Sequence, residues 1–191
     1  AAGQPHLGRS ALDACELMNV GVNYLREHMI QEARIHYAYR DAGGGAPNVV
    51  QDHAALYYFI RSPKISQALE LRERVNNCAK GAALMTGTTV DILPIDGMCD
   101  YLPNHVLSQV LQQSFEATGA PEFDEKDRQI ARSFQQNYPA DEVKAKVKAY
   151  GAKFGEEYVP MFTGQPLQDV VFPLRFPSTP LFGSSDVGDV S

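Results

Sequence analysis

Cysteine is scarce in this sequence, and the little there is excludes two classes of protein. Cys15, Cys78 and Cys99 are odd in number and share no short spacing, which argues against a disulfide framework and against a zinc site. Cys15 and Cys78 fall on the apolar stripes of predicted helices and read as buried free thiols, so a reducing, cytoplasmic compartment is expected. Basic residues are outnumbered: 17 Lys and Arg stand against 23 Asp and Glu, a formal net charge of -6. Nucleic acid, which needs a basic face to release counterions, is not expected as a partner. No apolar run is long enough to span a bilayer. His28, His36, His53 and His105 lack ligand spacing such as His-x-x-x-His, so no metal site is expected from them. There is no Ser-His-Asp order, no dinucleotide-binding glycine pattern, no internal repeat and no low-complexity segment. The run Gly43-Gly44-Gly45 lacks the Lys-Ser/Thr of a phosphate loop. The chain opens without an initiator Met or a signal-peptide pattern and closes without a terminal helix; both ends read as cut from something longer.

What is present suffices for a sizeable core, in one large domain or two small ones among 191 residues. Ser10 to Met29 reads as an amphipathic helix, with Ala11, Cys15, Met18, Val22, Leu25 and Met29 on one face and Ser10 as N-cap. Ala33 to Tyr39 alternates as a strand, with Ile35, Tyr37 and Tyr39 on its buried side and Arg34 and His36 outward. Ala54 to Ile60 is a second strand, broken by Ser62-Pro63. Lys64 to Thr86 is a second helix, with Ala68, Leu71, Val75, Cys78, Ala82 and Met85 on its stripe and Gly87 as its stop. Thr88 to Leu93 reads as a third strand. With one more strand before residue 1, the order becomes βαββαβ, the ferredoxin-like split motif.

From Pro94 the character changes. Asn104 is placed to cap a helix to Thr118, with Leu107, Val110, Leu111, Ser114 and Phe115 inward. Asp124 is placed to cap another, with Ile130 and Phe134 inward. Asp141 to Tyr150 reads as a solvated helix, and 151–183 as irregular, the mark of a functional or interface region. The expected class is α+β, with domains at 1–96 and 97–191.

The candidate site is the glycine loop between the first two strands. Glycines let backbone approach a ligand, and Asn48 follows them at once. Arg61 closes the next strand, and its guanidinium fork suits a carboxylate. Each has a plainer reading: Asn48 as a turn residue tolerant of left-handed backbone, Arg61 as a surface charge. His6, at a turn before a helix, reads as facing either a substrate or the helix end. Asp186 and Asp189 read as loop caps or as carboxylates behind a metal site.

Two stretches carry a family resemblance. Ala1-Ala2-Gly3-Gln4-Pro5-His6-Leu7-Gly8-Arg9-Ser10-Ala11-Leu12-Asp13-Ala14 looks like the start of the lid domain in the dinuclear-zinc amidohydrolase and exopeptidase family, which includes aminoacylases, carboxypeptidase G, β-alanine synthase and auxin-conjugate hydrolases. Gly44-Gly45-Ala46-Pro47-Asn48-Val49-Val50-Gln51-Asp52 resembles that family's loop, with Gln51 where Pro is common. The resemblance implies a βαββαβ lid over 1–96 and part of an α/β zinc-hydrolase catalytic domain over 97–191, to which Ser184–Ser191 resembles the return. It also implies substrate-binding roles for Asn48 and Arg61, thirteen positions apart as in the family, with Gly44, Gly45 and His6 beside them. Two divalent metal ions, zinc or manganese, are implied for the intact enzyme, with ligands before residue 1 and after Ser191. The family's His that crosses the dimer would immediately precede Ala1. The implied activity is hydrolysis of an N-acyl amino acid or aminobenzoyl-glutamate-like amide with a free carboxylate, in a homodimer joined through the lid. The 191-residue chain by itself is expected to be inactive, with no catalytic residue and no metal ligand of its own. The competing expectations are a non-catalytic ferredoxin-like dimerisation or small-molecule-binding module, and a family member that serves as a scaffold without metals.

Overall fold

The computed structural model describes residues 3–164, 166–176, 183 and 185–191. The chain forms two compact units, Ala1–Tyr101 with Phe182–Ser191, and Leu102–Leu181. In the first unit, helix α1 (Ala11–Leu25) begins where the Ser10 hydroxyl accepts the Asp13 N–H at 3.1 Å. This is the capping expected of Ser at that position. A 3-10 turn, Arg26–His28, leads to strand β1 (Arg34–Asp41). Strand β2 (Ala55–Arg61) pairs antiparallel with it, in a register that sets Ile35 opposite Ile60, Tyr37 opposite Tyr58, His36 opposite Phe59 and Arg34 opposite Arg61. Helix α2 (Ile65–Thr86) follows and ends at Gly87 with φ of 66°, the left-handed stop that glycine adopts without strain.

The core lies between the two helices and one face of the hairpin. Val22, Ala33, Ile35, Leu71 and Val75 are buried there, ringed by Met18, Leu25, Met29, Tyr58, Ile60 and Cys78. Asn19 is buried among them, 6% exposed, and is satisfied at both ends. The Tyr58 hydroxyl donates to its Oδ1, and its Nδ2 donates to the Tyr39 hydroxyl at 3.3 Å. The buried stripe of α2 runs through Leu71, Val75, Ala79, Ala82 and Ala83, and Met85, expected on it, is exposed. All three cysteines are free thiols; Cys15 and Cys78 are half-buried, and burial raises the pKa of each.

The α+β class holds, with a sheet of two strands among the described residues. Thr88–Leu93, expected as a third strand, forms none. A strand exists only through its ladder, and no described segment pairs with 88–93. The strand expected before residue 1 lies outside the chain. The segment after α2 instead serves it from a distance. Asp100 accepts the Ile65 N–H at 3.0 Å and the Lys64 ammonium at 2.7 Å, at the start of that helix. Asp189, in a 3-10 turn (Asp186–Val190) capped by Ser185, accepts the Cys99 N–H at 2.8 Å. Gly188 is buried there against the Cys99 carbonyl, where any Cβ would overlap it.

The second unit holds α3 (His105–Thr118), α4 (Glu125–Gln135), α5 (Ala140–Phe154) and α6 (Val159–Gly164). Asn104 and Asp124 cap α3 and α4 through the Leu107 and Asp127 N–H groups, as their sequence positions suggest. Leu107, Val110, Leu111, Ser114 and Phe115 of α3, and Ile130 and Phe134 of α4, were expected inward, but all are exposed. Helical periodicity identifies an apolar face and not what covers it. The α5 helix is solvated, as its lysines suggest, and extends into the stretch expected to be irregular. There a 3-10 turn (Glu156–Tyr158) and α6 follow it. Tyr150, Phe162 and Phe172 stack in series, at 5.3 and 5.1 Å between ring centroids. No helix among the described residues is long and apolar enough to cross a membrane.

Candidate functional site

The glycine loop joins β1 to β2. Two of its glycines have positive φ, 81° at Gly43 and 102° at Gly44. At Gly43 the Asp41 carboxylate accepts the backbone N–H at 2.8 Å, and a Cβ would come within 2.6 Å of the His53 carbonyl oxygen. Gly43 therefore closes the loop, while Gly44 and Gly45 face open space. A turn follows, closed by the Val49 N–H to the Ala46 carbonyl at 3.2 Å, with Pro47 and Asn48 at its centre.

The loop is anchored on the N-terminus of α1. The Gln51 carbonyl accepts the Ala11 N–H at 2.9 Å, one of the donors that a helix start leaves unpaired. The Ser10 hydroxyl donates to Gln51 Oε1 at 3.4 Å, and Val50 packs against Gly8, where a Cβ would crowd it. Gln51, unusual at this position by the resemblance, is thus an anchor of the loop. Only the side-chain contact to Ser10 depends on its being Gln.

Asn48 is exposed and its amide makes no hydrogen bond among the described residues. His6 is exposed on a 3-10 turn, Pro5–Leu7, where its carbonyl accepts from Arg9 at 3.4 Å. Arg61 is exposed at the last position of β2, its guanidinium carbon 5.7 Å from the centre of the Phe59 ring. No carboxylate pairs with it among the described residues. The hairpin does not bring Asn48 and Arg61 together. The loop lies before Ala55, the first residue of β2, and Arg61 is its last, six residues further along, or about 20 Å at the usual strand rise. Arg61 instead stands across the ladder from Arg34. Arg34 is the neighbour that sequence alone did not attach to the site, because its pairing depends on the hairpin register.

No group of three or more His, Cys, Asp or Glu side chains converges to hold a metal ion among the described residues. Near the return of the chain, the Asp189 carboxylate beside the Cys99 thiol raises that thiol's pKa, with burial adding to the effect.

No protein-family model matches the chain. The chain is 38% identical over 194 residues to a p-aminobenzoyl-glutamate hydrolase subunit of Escherichia coli (strain K12), an alignment covering 100% of this chain and 40% of that protein. It is 36% identical over 92 residues to the Xaa-Arg dipeptidase of Mus musculus, covering 48% of this chain and 21% of that protein. Identity to the Xaa-Arg dipeptidase of Homo sapiens is 33% over 110 residues, or 56% of this chain and 24% of that protein. The chain thus spans well under half the length of these relatives. From these similarities, the chain belongs to the amidohydrolase and exopeptidase family in which aminobenzoyl-glutamate hydrolases and Xaa-Arg dipeptidases stand.

Proposed function

We propose that this chain supplies the carboxylate-binding part of an enzyme that hydrolyses the amide bond of an N-acyl amino acid or an aminobenzoyl-glutamate-like compound. Supporting this reading are the names of its relatives and one structural observation. Arg61 presents a guanidinium at a strand end, beside the Phe59 ring and without a carboxylate partner among the described residues. A substrate carboxylate fills that vacancy in charge, with charge-assisted hydrogen bonds contributing on the order of 1.5–3 kcal/mol. The two divalent metal ions expected from the family would be held by residues outside this chain. The enzyme would work in a reducing compartment such as the cytoplasm, where three free thiols persist.

Asn48 completes the reading only from a second copy. One chain holds it at the opposite end of the hairpin from Arg61, too far to share a carboxylate-sized target. In a two-fold homodimer the Asn48 loop of one protomer and Arg61 of its partner meet at one substrate. The Asn48 amide then donates to the scissile carbonyl, and the anchored loop root holds it there.

The test is made in the intact enzyme. Arg61→Ala lowers kcat/KM about a hundredfold, corresponding to about 2.7 kcal/mol of lost transition-state binding. An unchanged kcat/KM refutes the role of Arg61. Asn48→Ala is similarly impaired. Mixing the two inactive variants restores up to about a quarter of wild-type activity, because half the dimers are mixed and each mixed dimer carries one intact site. If both residues act within one chain, mixing restores nothing.

A further inference from the structure

We propose that Gln51 is a positioning residue for the hydrolysis: its side chain latches the two ends of the 43–51 loop together and to helix α1, and so fixes the aim of Asn48. The inference rests on the reading of Asn48 under the proposed function and adds the residue through which Asn48 is held. Three contacts meet at Gln51. Its carbonyl accepts the Ala11 N–H at 2.9 Å. Its Oε1 accepts the Ser10 hydroxyl at 3.4 Å. Its Cβ and Cγ lie 2.6 and 2.5 Å from the place a Cβ on Gly43 would take. The start of the loop is thus pressed against its end, and that end is bonded to the first turn of α1. A surface loop closed at its root in this way is a compact form that functional loops commonly take.

Beyond this root little holds the loop. Among the described residues no hydrogen bond joins 44–50 to the rest of the chain, and the bond from the Val49 N–H to the Ala46 carbonyl is internal. A Cβ on Gly44 or Gly45 would meet nothing within 4 Å. The aim of Asn48 is therefore set at the root. The Ser10 hydroxyl accepts the Asp13 N–H at 3.1 Å, and its single proton goes to Gln51 Oε1. Removing that oxygen frees the Gln51 side chain, while the backbone bond to Ala11 stays. An amide that meets the scissile carbonyl as it gains charge acts in the transition state more than in substrate binding. A loosened loop is therefore read in kcat. Arg61 stands at the far end of β2 and does not share this root, so KM is spared.

The experiment uses the intact enzyme with p-aminobenzoyl-glutamate. Gln51→Met keeps the stem against Gly43 and loses the acceptor for Ser10. It is expected to lower kcat about tenfold at unchanged KM, the scale of a small misplacement of a catalytic group. Gln51→Glu keeps an acceptor and is expected to retain wild-type kcat. In the Asn48→Ala background, Gln51→Met is expected to lower kcat no further, because its effect passes through Asn48. Amide exchange at Val49 is expected to quicken in Gln51→Met and not in Gln51→Glu. An equal loss from Gln51→Met with and without Asn48, or a raised KM at unchanged kcat, overturns the inference. Unchanged kcat in Gln51→Met beside an impaired Asn48→Ala also overturns it and leaves the proposed function standing. Full activity of Asn48→Ala removes the role of Asn48 and this one with it.

Discussion

Asn19 shows how one polar side chain is kept in an apolar interface. It sits 6% exposed on α1, and two tyrosine hydroxyls of the hairpin meet it. Tyr58→Phe removes the donor to Asn19 Oδ1 and leaves a buried acceptor unpaired, at a cost of about 1–3 kcal/mol, measurable by urea unfolding. Burial raises the Tyr58 phenol pKa well above its ordinary value, with the nearby Tyr37 adding to it. A raised folded-state pKa gives stability that is whole below about pH 10, the unfolded value, and is lost as pH rises toward the folded one. Wild-type stability therefore falls above that pH, and the Tyr58→Phe curve is flatter there. At this scale the sequence was informative where chemistry is local. The Ser10, Asn104 and Asp124 caps each serve an N–H three positions on. The Asn19–Tyr58 contact joins positions 39 apart, and nothing in the local pattern marks it.

Among the elements, α2 depends on a partner that no local signal announces. Its own first residues offer no carboxylate, and Asp100 supplies one from 35 positions away to the Ile65 N–H. The Lys64 hydrogen bond and then the Ile65 N–H hold the Asp100 pKa below its ordinary 3.8. A depressed folded-state pKa gives stability that is present above the unfolded value and lost as pH falls through the folded one. Asp100→Asn is therefore expected to lower the melting temperature at neutral pH, and the gap to wild type should close below about pH 3.8. A gap that persists in acid would show that the carboxylate's charge contributes nothing. The helices were legible because apolar period and caps agree within each one. Thr88–Leu93 was misread because strand composition carries no information about a pairing partner. The faces of α3 and α4 were likewise readable as apolar without revealing their exposure.

At the scale of the molecule, the first unit is closed by its own C-terminal segment. Gly188 lies so near the Cys99 carbonyl that a Cβ would overlap backbone, which cannot yield as a side-chain tip can. Gly188→Val is expected to free the Asp186–Val190 turn and speed hydrogen exchange at the Cys99 amide, which donates to Asp189. Exchange in the β1–β2 ladder should be unaltered. Equal slowing factors at Cys99 in both proteins would show that the contact is not closed by Gly188. The site itself was legible in part: the glycine loop, Asn48 and Arg61 stand out as residue types in sequence. Their separation by the length of β2 does not, because distance along a strand becomes visible only once the hairpin is paired.

The Cys99–Asp189 hydrogen bond also has an entropic consequence. It ties two points 90 positions apart, so in polymer terms residues 102–181 are a single long excursion that the first unit must close on itself. Closure cost grows only with the logarithm of loop length. Replacing that excursion by a bridge of about five residues would lower it by roughly 2–3 kcal/mol. The first unit tolerates its large insertion cheaply, and the same arithmetic lets the excursion vary in length without unsettling the hairpin that carries Arg61.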